Sequence, residues 1–227
     1  MTAKGTPMAD RLEPFSYAEL QEIGDIRCLF PSPAPLEIEI GCGRGDFLLS
    51  YAPQRPHVNF LGVERKLVIA RKAASKAARA GLGNVRIIHG EIGYLIERYL
   101  PRTSLQAIHC YFADPWPKKR HARRRLFKPG TPELFAGLLM PGGFVHIRTD
   151  VEQYFATICE LFDSSGLFVR VVPPAELTTC LTGFERRFVQ EGKPICRVSY
   201  VLSGGADSAP AGGGAKNVEC DGPRDEP

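Results

Sequence analysis

Leu36-Glu37-Ile38-Glu39-Ile40-Gly41-Cys42-Gly43-Arg44-Gly45-Asp46 is the stretch on which the fold turns. Residues 36–40 read as a strand, residues 46–52 open a helix, and three glycines lie between them. Glycine lets a backbone turn sharply and approach a ligand closely. The dinucleotide-binding fingerprint is G-x-G-x-x-G. Here the third glycine comes one residue early, and Asp46 stands in its place. An acid at that point repels a pyrophosphate, and Glu39 just before the turn does the same. Glu39 suits instead the amino group and sulfonium of S-adenosylmethionine. Glu64 closes the next strand-like run, about 20 residues on, where an acid typically binds ribose hydroxyls. The spacing therefore favours a methyl donor over NAD, held by Glu39, Gly41, Gly43 and Glu64. Glu91, after the third strand, is placed to face the adenine amino group. The plainer alternatives are a ligand-free glycine turn and, for Glu91, an ordinary acid at a helix N-terminus.

Outward from the loop, strand-like and helix-like runs alternate. Strands are expected at 58–64, 85–90, 105–112, 144–149, 168–172 and 195–202, and helices at 65–80, 94–99, 132–139 and 154–164. The 65–80 helix is rich in Ala, Lys and Arg, and a Pro-Gly-Gly turn falls at 141–143. This alternation predicts an α/β fold, a Rossmann-like, doubly wound and mostly parallel sheet. The last two strands, with no long helix between them, predict an antiparallel edge. In such sheets ligands sit beyond the carboxyl ends of the strands, at the topological switch point. Three segments follow: a Pro-rich arm over 1–34 with one short helix at 17–23, a domain over 35–202, and a tail over 203–227. The tail has one strongly apolar side chain, Val218, and is expected to be disordered because it cannot offset its ordering entropy.

The chain has 227 residues, 44% of them hydrophobic, enough for one domain with a sizeable core. No apolar run reaches about 18 residues and no apolar leader opens the chain, so neither a membrane span nor a secretory signal is expected. Seven scattered cysteines without a C-x-x-C pair argue against zinc or a disulfide framework and fit the reduced cytoplasm. No metal is expected, and monomer and homodimer both stay open. The net charge is +4, but the tail holds five acids against two bases, which leaves +7 on residues 1–202. A basic body is compatible with a phosphate-bearing partner.

Much of that charge sits in one place. The fourth strand runs out into Tyr111-Phe112-Ala113-Asp114-Pro115-Trp116-Pro117-Lys118-Lys119-Arg120-His121, and residues 118–128 carry seven Lys or Arg and no acid. A charge run is ordinarily a solvated face. This one emerges beside the proposed cofactor loop, where cations draw a polyanion to the site. Trp116, the only tryptophan, reads equally as a stacking surface for a base and as a packing anchor.

The segment F-A-D-P-W-P-K-K-R-H-x-R-R-R resembles the signature of the tRNA (guanine-N7)-methyltransferases, with Ala113 where that family carries proline. E-I-G-C-G-R-G is similar to the family's cofactor loop. Thr149-Asp150 and Thr182-Gly183-Phe184-Glu185 resemble two further motifs, and the similarity runs over 36–202. The resemblance implies a class I S-adenosylmethionine-dependent enzyme acting on tRNA, at guanine-46 of the variable loop. Glu39, Glu64, Glu91 and Asp114 match its cofactor-binding positions. Lys118, Asp150 and Thr182, Gly183, Phe184 and Glu185 match its substrate-binding positions. Glu91 stands where aspartate is common.

Guanine N7 carries a lone pair at neutral pH, so the reaction needs alignment rather than a general base. As positive charge moves onto the ring, a fixed carboxylate can stabilise it, and Asp114 is the candidate catalytic residue. Asp150 and Glu185 are candidates to accept N1–H and the exocyclic amine. The bland readings are a turn aspartate preceding proline for Asp114, a helix cap for Asp150 and a surface ion pair for Glu185. Lys118, Lys119, Arg120, Arg123 and Arg124 would hold phosphates. An NAD(P) oxidoreductase fails on glycine spacing and lacks a Tyr-x-x-x-Lys pair. A DNA or protein methyltransferase shares only a faint D-P-W-P likeness, and a non-catalytic RNA-binding module has no need of the glycine loop with Glu39 and Glu64.

Overall fold

β1 (Leu36–Ile40) is buried along its whole length, as a strand covered on both faces must be. In the computed structural model, which describes residues 11–203 and 220–221, it lies inside a sheet of order β3-β2-β1-β4-β5-β7-β6. β2 (Asn59–Glu64), β3 (Val85–His89), β4 (Leu105–Tyr111) and β5 (Leu139–Thr149) run parallel to it. The chain lays β2 and β3 on one side of β1 and then crosses to β4 on the other. The carboxyl ends of β1 and β4 therefore flank the switch point, where connections leave in opposite directions and open a crevice. β7 (Ile195–Leu202) is antiparallel to both β5 and β6 (Phe168–Val171), one position in from the sheet's edge.

The sheet separates two hydrophobic layers, and alternation along each strand feeds both. Phe60 and Ile87 point to one layer, Leu61 and Ile88 to the other. The first layer is closed by α2 (Asp46–Tyr51) and α3 (Leu67–Arg79). α3 docks through Ala70, Ala73, Ala74 and Ala77, side chains small enough to bring the helix close to the glycine loop. A Cβ on Gly45 would lie 3.2 Å from Cβ of Ala73. The second layer is closed by α4 (Ile92–Arg98), α5 (Thr131–Leu138) and α6 (Glu152–Ser164), with Leu95, Phe135, Ile158 and Phe162 fully buried.

Phe15, Leu20, Ile26, Leu29 and Phe30, from the segment read as an arm, are part of this second layer. α1 (Tyr17–Ile23) opens on a capping box between Ser16 and Glu19, and Phe15 bridges the edge of β3 at Ile88. The Pro-Gly-Gly turn is taken up inside β5 as a bulge. Pairing with β4 jumps from Leu105↔Leu139 to Ala107↔Phe144, and Gly142 takes the left-handed φ of 73° that a side chain would disfavour. Cys220–Asp221 forms β8 against the start of β7. Residues 204–219 and 222–227 of the tail expected to be disordered, and residues 1–10, lie outside the described residues. Among the described residues no helix is long and apolar enough to cross a membrane.

Candidate active site

The glycine loop owes its shape to Gly41, Gly43 and Gly45, whose φ angles are 76°, 54° and 73°, all in the region that L side chains rarely enter. Gly41 N and Cys42 N both donate to Val63 O, at 2.9 and 3.0 Å, tying the loop to the end of β2. Glu64 reinforces the tie. Its Oε2 accepts from Gly43 N at 3.2 Å and its Oε1 from Lys66 N at 2.8 Å. A carboxylate has about four acceptor sites, so Glu64 keeps capacity for ribose hydroxyls.

Glu39 is 3% exposed, and among the described residues its Oε2 has no hydrogen-bond partner. Burial pushes its carboxyl well above the ordinary carboxylate range, against the opposing pull of Arg148. An unpartnered carboxyl oxygen at the head of a glycine loop fits an ammonium group, as the amino-acid end of S-adenosylmethionine would supply. Glu91 stands exposed at the N-cap of α4. Its backbone is held by Tyr17, whose hydroxyl accepts from Glu91 N at 2.5 Å and donates to Glu91 O at 2.7 Å. The Tyr17 ring lies over Gly90, where a Cβ would come within 2.3 Å of the hydroxyl. No local motif marks Tyr17 for this task, because its partner is 74 residues away.

Beyond β4 the backbone is strained. Phe112 and Trp116 have φ of 56° and 41°, rare for bulky residues and characteristic of functional segments. Asp114 lies between them, exposed. Phe112 N donates to Arg148 O at 2.8 Å, fastening the start of the loop to β5. Trp116 anchors the rest. Its carbonyl accepts from Arg125 Nε and Nη2 at 3.2 and 3.0 Å, the Arg124 guanidinium lies 5.1 Å over its ring, and His121 meets it edge-on. Of the two readings of Trp116, the packing one is therefore realised in the fold. Lys118, Arg120, Arg123 and Arg124 are exposed around it. Lys119 opens the 3-10 turn Lys119–Arg124; its side chain lies outside what the structure describes.

Asp150 follows β5, half-buried. α6 opens at Val151 without a side-chain cap, so Asp150 is not spent on capping. α7 (Ala175–Thr179) and α8 (Gly183–Gln190) then pass over this end of the sheet. Thr182 and Glu185 form a reciprocal capping box at the start of α8: Glu185 N donates to Thr182 Oγ1 at 3.1 Å, and Thr182 N to Glu185 Oε2 at 2.9 Å. That same Oε2 accepts from Arg148 Nη1 at 2.6 Å, and Oε1 lies 3.4 Å from Arg197 Nη2. Glu185 is 0% exposed. The sequence places it among the groups that read guanine or, failing that, on the surface; the geometry instead turns its carboxylate into the sheet and occupies it there. Gly183, half-buried, and Phe184, exposed, are the members of the motif that face outward. Gly183 sits on the glycine-loop helix so closely that a Cβ would fall 2.5 Å from Asp46 Oδ2. The 182–185 turn and the start of α2, just after the glycine loop, are thus in direct contact.

A family model described as "Putative methyltransferase" matches residues 33–198. A tRNA (guanine-N(7)-)-methyltransferase of Myxococcus xanthus is 36% identical over 172 residues, 74% of this chain and 84% of the relative. One from Anaeromyxobacter dehalogenans is 38% identical, over 73% of this chain and 85% of its own. The chain belongs to the tRNA (guanine-N7)-methyltransferase family. Among solved structures, the 16S rRNA methyltransferase KamB matches with a TM-score of 0.55 at 16% identity, over 86% of this chain and 98% of that one. A 16S rRNA (adenine(1408)-N(1))-methyltransferase with cosubstrate SAM matches at 0.54 and 14%, over 89% and 98%. At such identities the likeness shows the fold, that of the class I methyltransferases. S-adenosylmethionine is the cofactor of this family, and Glu39, Gly41, Gly43, Glu64 and Glu91 lie at the carboxyl ends of β1, β2 and β3, beside the switch point.

Two measurements follow from this geometry. An ammonium beside Glu39 favours its charged form, so cofactor binding should release a proton and tighten as pH rises through the window between the ordinary value and the raised one. Calorimetry in buffers of different ionisation enthalpy should show that release in the wild type and not in Glu39→Gln; equal proton release in both would assign it elsewhere. Glu185→Ala should lower unfolding free energy in urea by about 3–5 kcal/mol, the loss expected when one partner of a buried ion pair is removed. Phe184→Ala should change it by less than about 0.5 kcal/mol, as exposed sites do. A stable Glu185→Ala protein would return Glu185 to the guanine-reading group.

Proposed function

We propose that this protein methylates N7 of a guanine in tRNA, at position 46 of the variable loop. The observation that carries the reading is the placement of the D-P-W-P-K-K-R-H segment. It leaves β4 at the switch point, next to the glycine loop on β1, and it opens on the exposed Asp114.

When bound, S-adenosylmethionine supplies an electrophilic methyl group on a sulfonium. Glu39 holds the amino group, Glu64 the ribose, and Glu91, steadied by Tyr17, the adenine. The attacking nitrogen already carries its lone pair, so the chain's task is to line it up with the methyl carbon and sulfur. Asp114 stabilises the positive charge that develops on the guanine ring; the strained backbone at 112–116 fixes where that carboxylate stands. Asp150 accepts N1–H and the exocyclic amine. Thr182 and Glu185 shape the turn that presents Gly183 and Phe184 to the base, and Glu185 acts through that turn. Lys118, Lys119, Arg120, Arg123 and Arg124 hold phosphates, which positions the RNA more than it specifies a base. The enzyme works in the cytoplasm, where its tRNA partner is.

Incubation with labelled S-adenosylmethionine and unmodified tRNA should place the label in 7-methylguanosine, and a transcript with guanine-46 replaced by adenine should stay unlabelled. Asp114→Asn should fold normally and lower the single-turnover rate by roughly 100-fold, the usual loss of one preorganised electrostatic partner. Label in a different nucleoside would overturn the reading, and a normal rate in Asp114→Asn would overturn the role of that residue.

A further inference from the structure

The chain has a second concentration of positive charge that the site does not use. From residue 65 to residue 90 there are seven Lys or Arg and no acid. Six of them, Arg65, Lys66, Arg71, Lys72, Lys76 and Arg79, belong to α3 or its lead-in, and all six are exposed. Ala70, Ala73, Ala74 and Ala77 take the buried side of the helix. Helical spacing then gathers Arg71, Lys72, Lys76 and Arg79 on the opposite face, together with Val68, which is 65% exposed.

Helix stability does not account for this pattern. A solvated helix face ordinarily mixes signs, because like charges three or four residues apart repel; Lys72–Lys76 and Lys76–Arg79 are such pairs. Lysine and arginine favour the C-terminal end of the helix dipole, which suits Lys76 and Arg79. Arg65 and Lys66 stand at the other end, and the first turn has no acid. Arg71 is paired with Glu13 and Lys76 with Asp46, at 2.8 and 2.9 Å. Among the described residues Arg65, Lys66, Lys72 and Arg79 have no ion-pair partner.

The position is also specific. α3 starts at the carboxyl end of β2, and the 118–128 loop at the carboxyl end of β4, with β1 between them. At a strand spacing of about 4.8 Å, the two basic segments leave the same sheet edge about 10 Å apart, on either side of the glycine loop. α3 then runs back toward the amino end of β3, which is parallel to β2, and carries its cations about 20 Å down the flank of the sheet.

We infer that the exposed face of α3 is a second phosphate-binding surface, which grips the same RNA on the far side of the cofactor loop from residues 118–128. This rests on the reading of tRNA as substrate. The track presents separated point charges and little apolar surface, which suits a nucleic-acid backbone.

The test uses the full chain and an unmodified tRNA transcript, with binding measured over a range of salt. Lys72→Ala/Arg79→Ala should reduce the log–log salt slope by about 1.4–1.8, the contribution of two phosphate contacts at 0.7–0.9 each. Lys72→Glu/Arg79→Glu should weaken tRNA binding by about tenfold or more at moderate salt and raise the KM for tRNA accordingly. Calorimetry with S-adenosylmethionine should give wild-type affinity for both variants, which certifies that they are folded. A wild-type protein that neither binds nor methylates tRNA overturns the substrate reading. A wild-type protein that does both, with variants matching it in slope and affinity, overturns the α3 surface alone.

Discussion

Arg148 is the residue on which the site's arrangement depends. It lies on β5, 4% exposed on its side chain, and its guanidinium binds Glu185, the carbonyls of Cys180 and Leu177, and the face of the Tyr111 ring 4.1 Å away. A planar group with five donors can serve several acceptors in one plane, which an ammonium cannot. α7 and α8 are short and bury few apolar side chains, so hydrophobic packing alone holds them weakly. Three bonds from one arginine fix the span 177–185 over the sheet. The same positive charge is the main opposing influence on the buried Glu39 carboxyl, so Glu39 and the 182–185 turn share one counter-charge.

That sharing explains why so much charge is buried at this end of the sheet. Removing ions from water is costly, and a buried pair is kept only with good geometry and satisfied hydrogen bonds. Glu185 meets the condition through Arg148, Thr182 and Arg197. Glu39 does not: among the described residues its buried Oε2 has no hydrogen-bond partner, and a ligand ammonium would supply one. Contact between Gly183 and Asp46 completes the coupling, because the turn that presents Phe184 rests on the helix that the glycine loop begins.

What the sequence made legible is local. The strand, three glycines and Asp46 stand within eleven consecutive residues, and their chemistry follows from spacing. The D-P-W-P-K-K-R-H segment is equally contiguous, and its place after a central strand follows from the alternation of elements. The contacts that were not legible join distant residues: Tyr17 to Glu91 across 74 positions and Arg148 to Glu185 across 37. Glu185 did carry a readable local signal, since Thr182-x-x-Glu185 has the spacing of a capping box; that reading gives it a structural task before any ligand is considered. Ser16-x-x-Glu19 has the same spacing, and it marks the helix that brings Tyr17 to β3 within a stretch whose prolines obscure its buried residues.

Hydrogen exchange on Arg148→Met tests the role of this arginine most directly, because the substitution keeps a long side chain and removes the charge and all its donors. Amides across residues 175–190 should lose protection, while those of β1 at 36–40, which depend on the sheet alone, keep theirs. Wild-type protection across 175–190 in that variant would contradict the claim that one buried arginine holds the 177–185 span over the carboxyl end of the sheet.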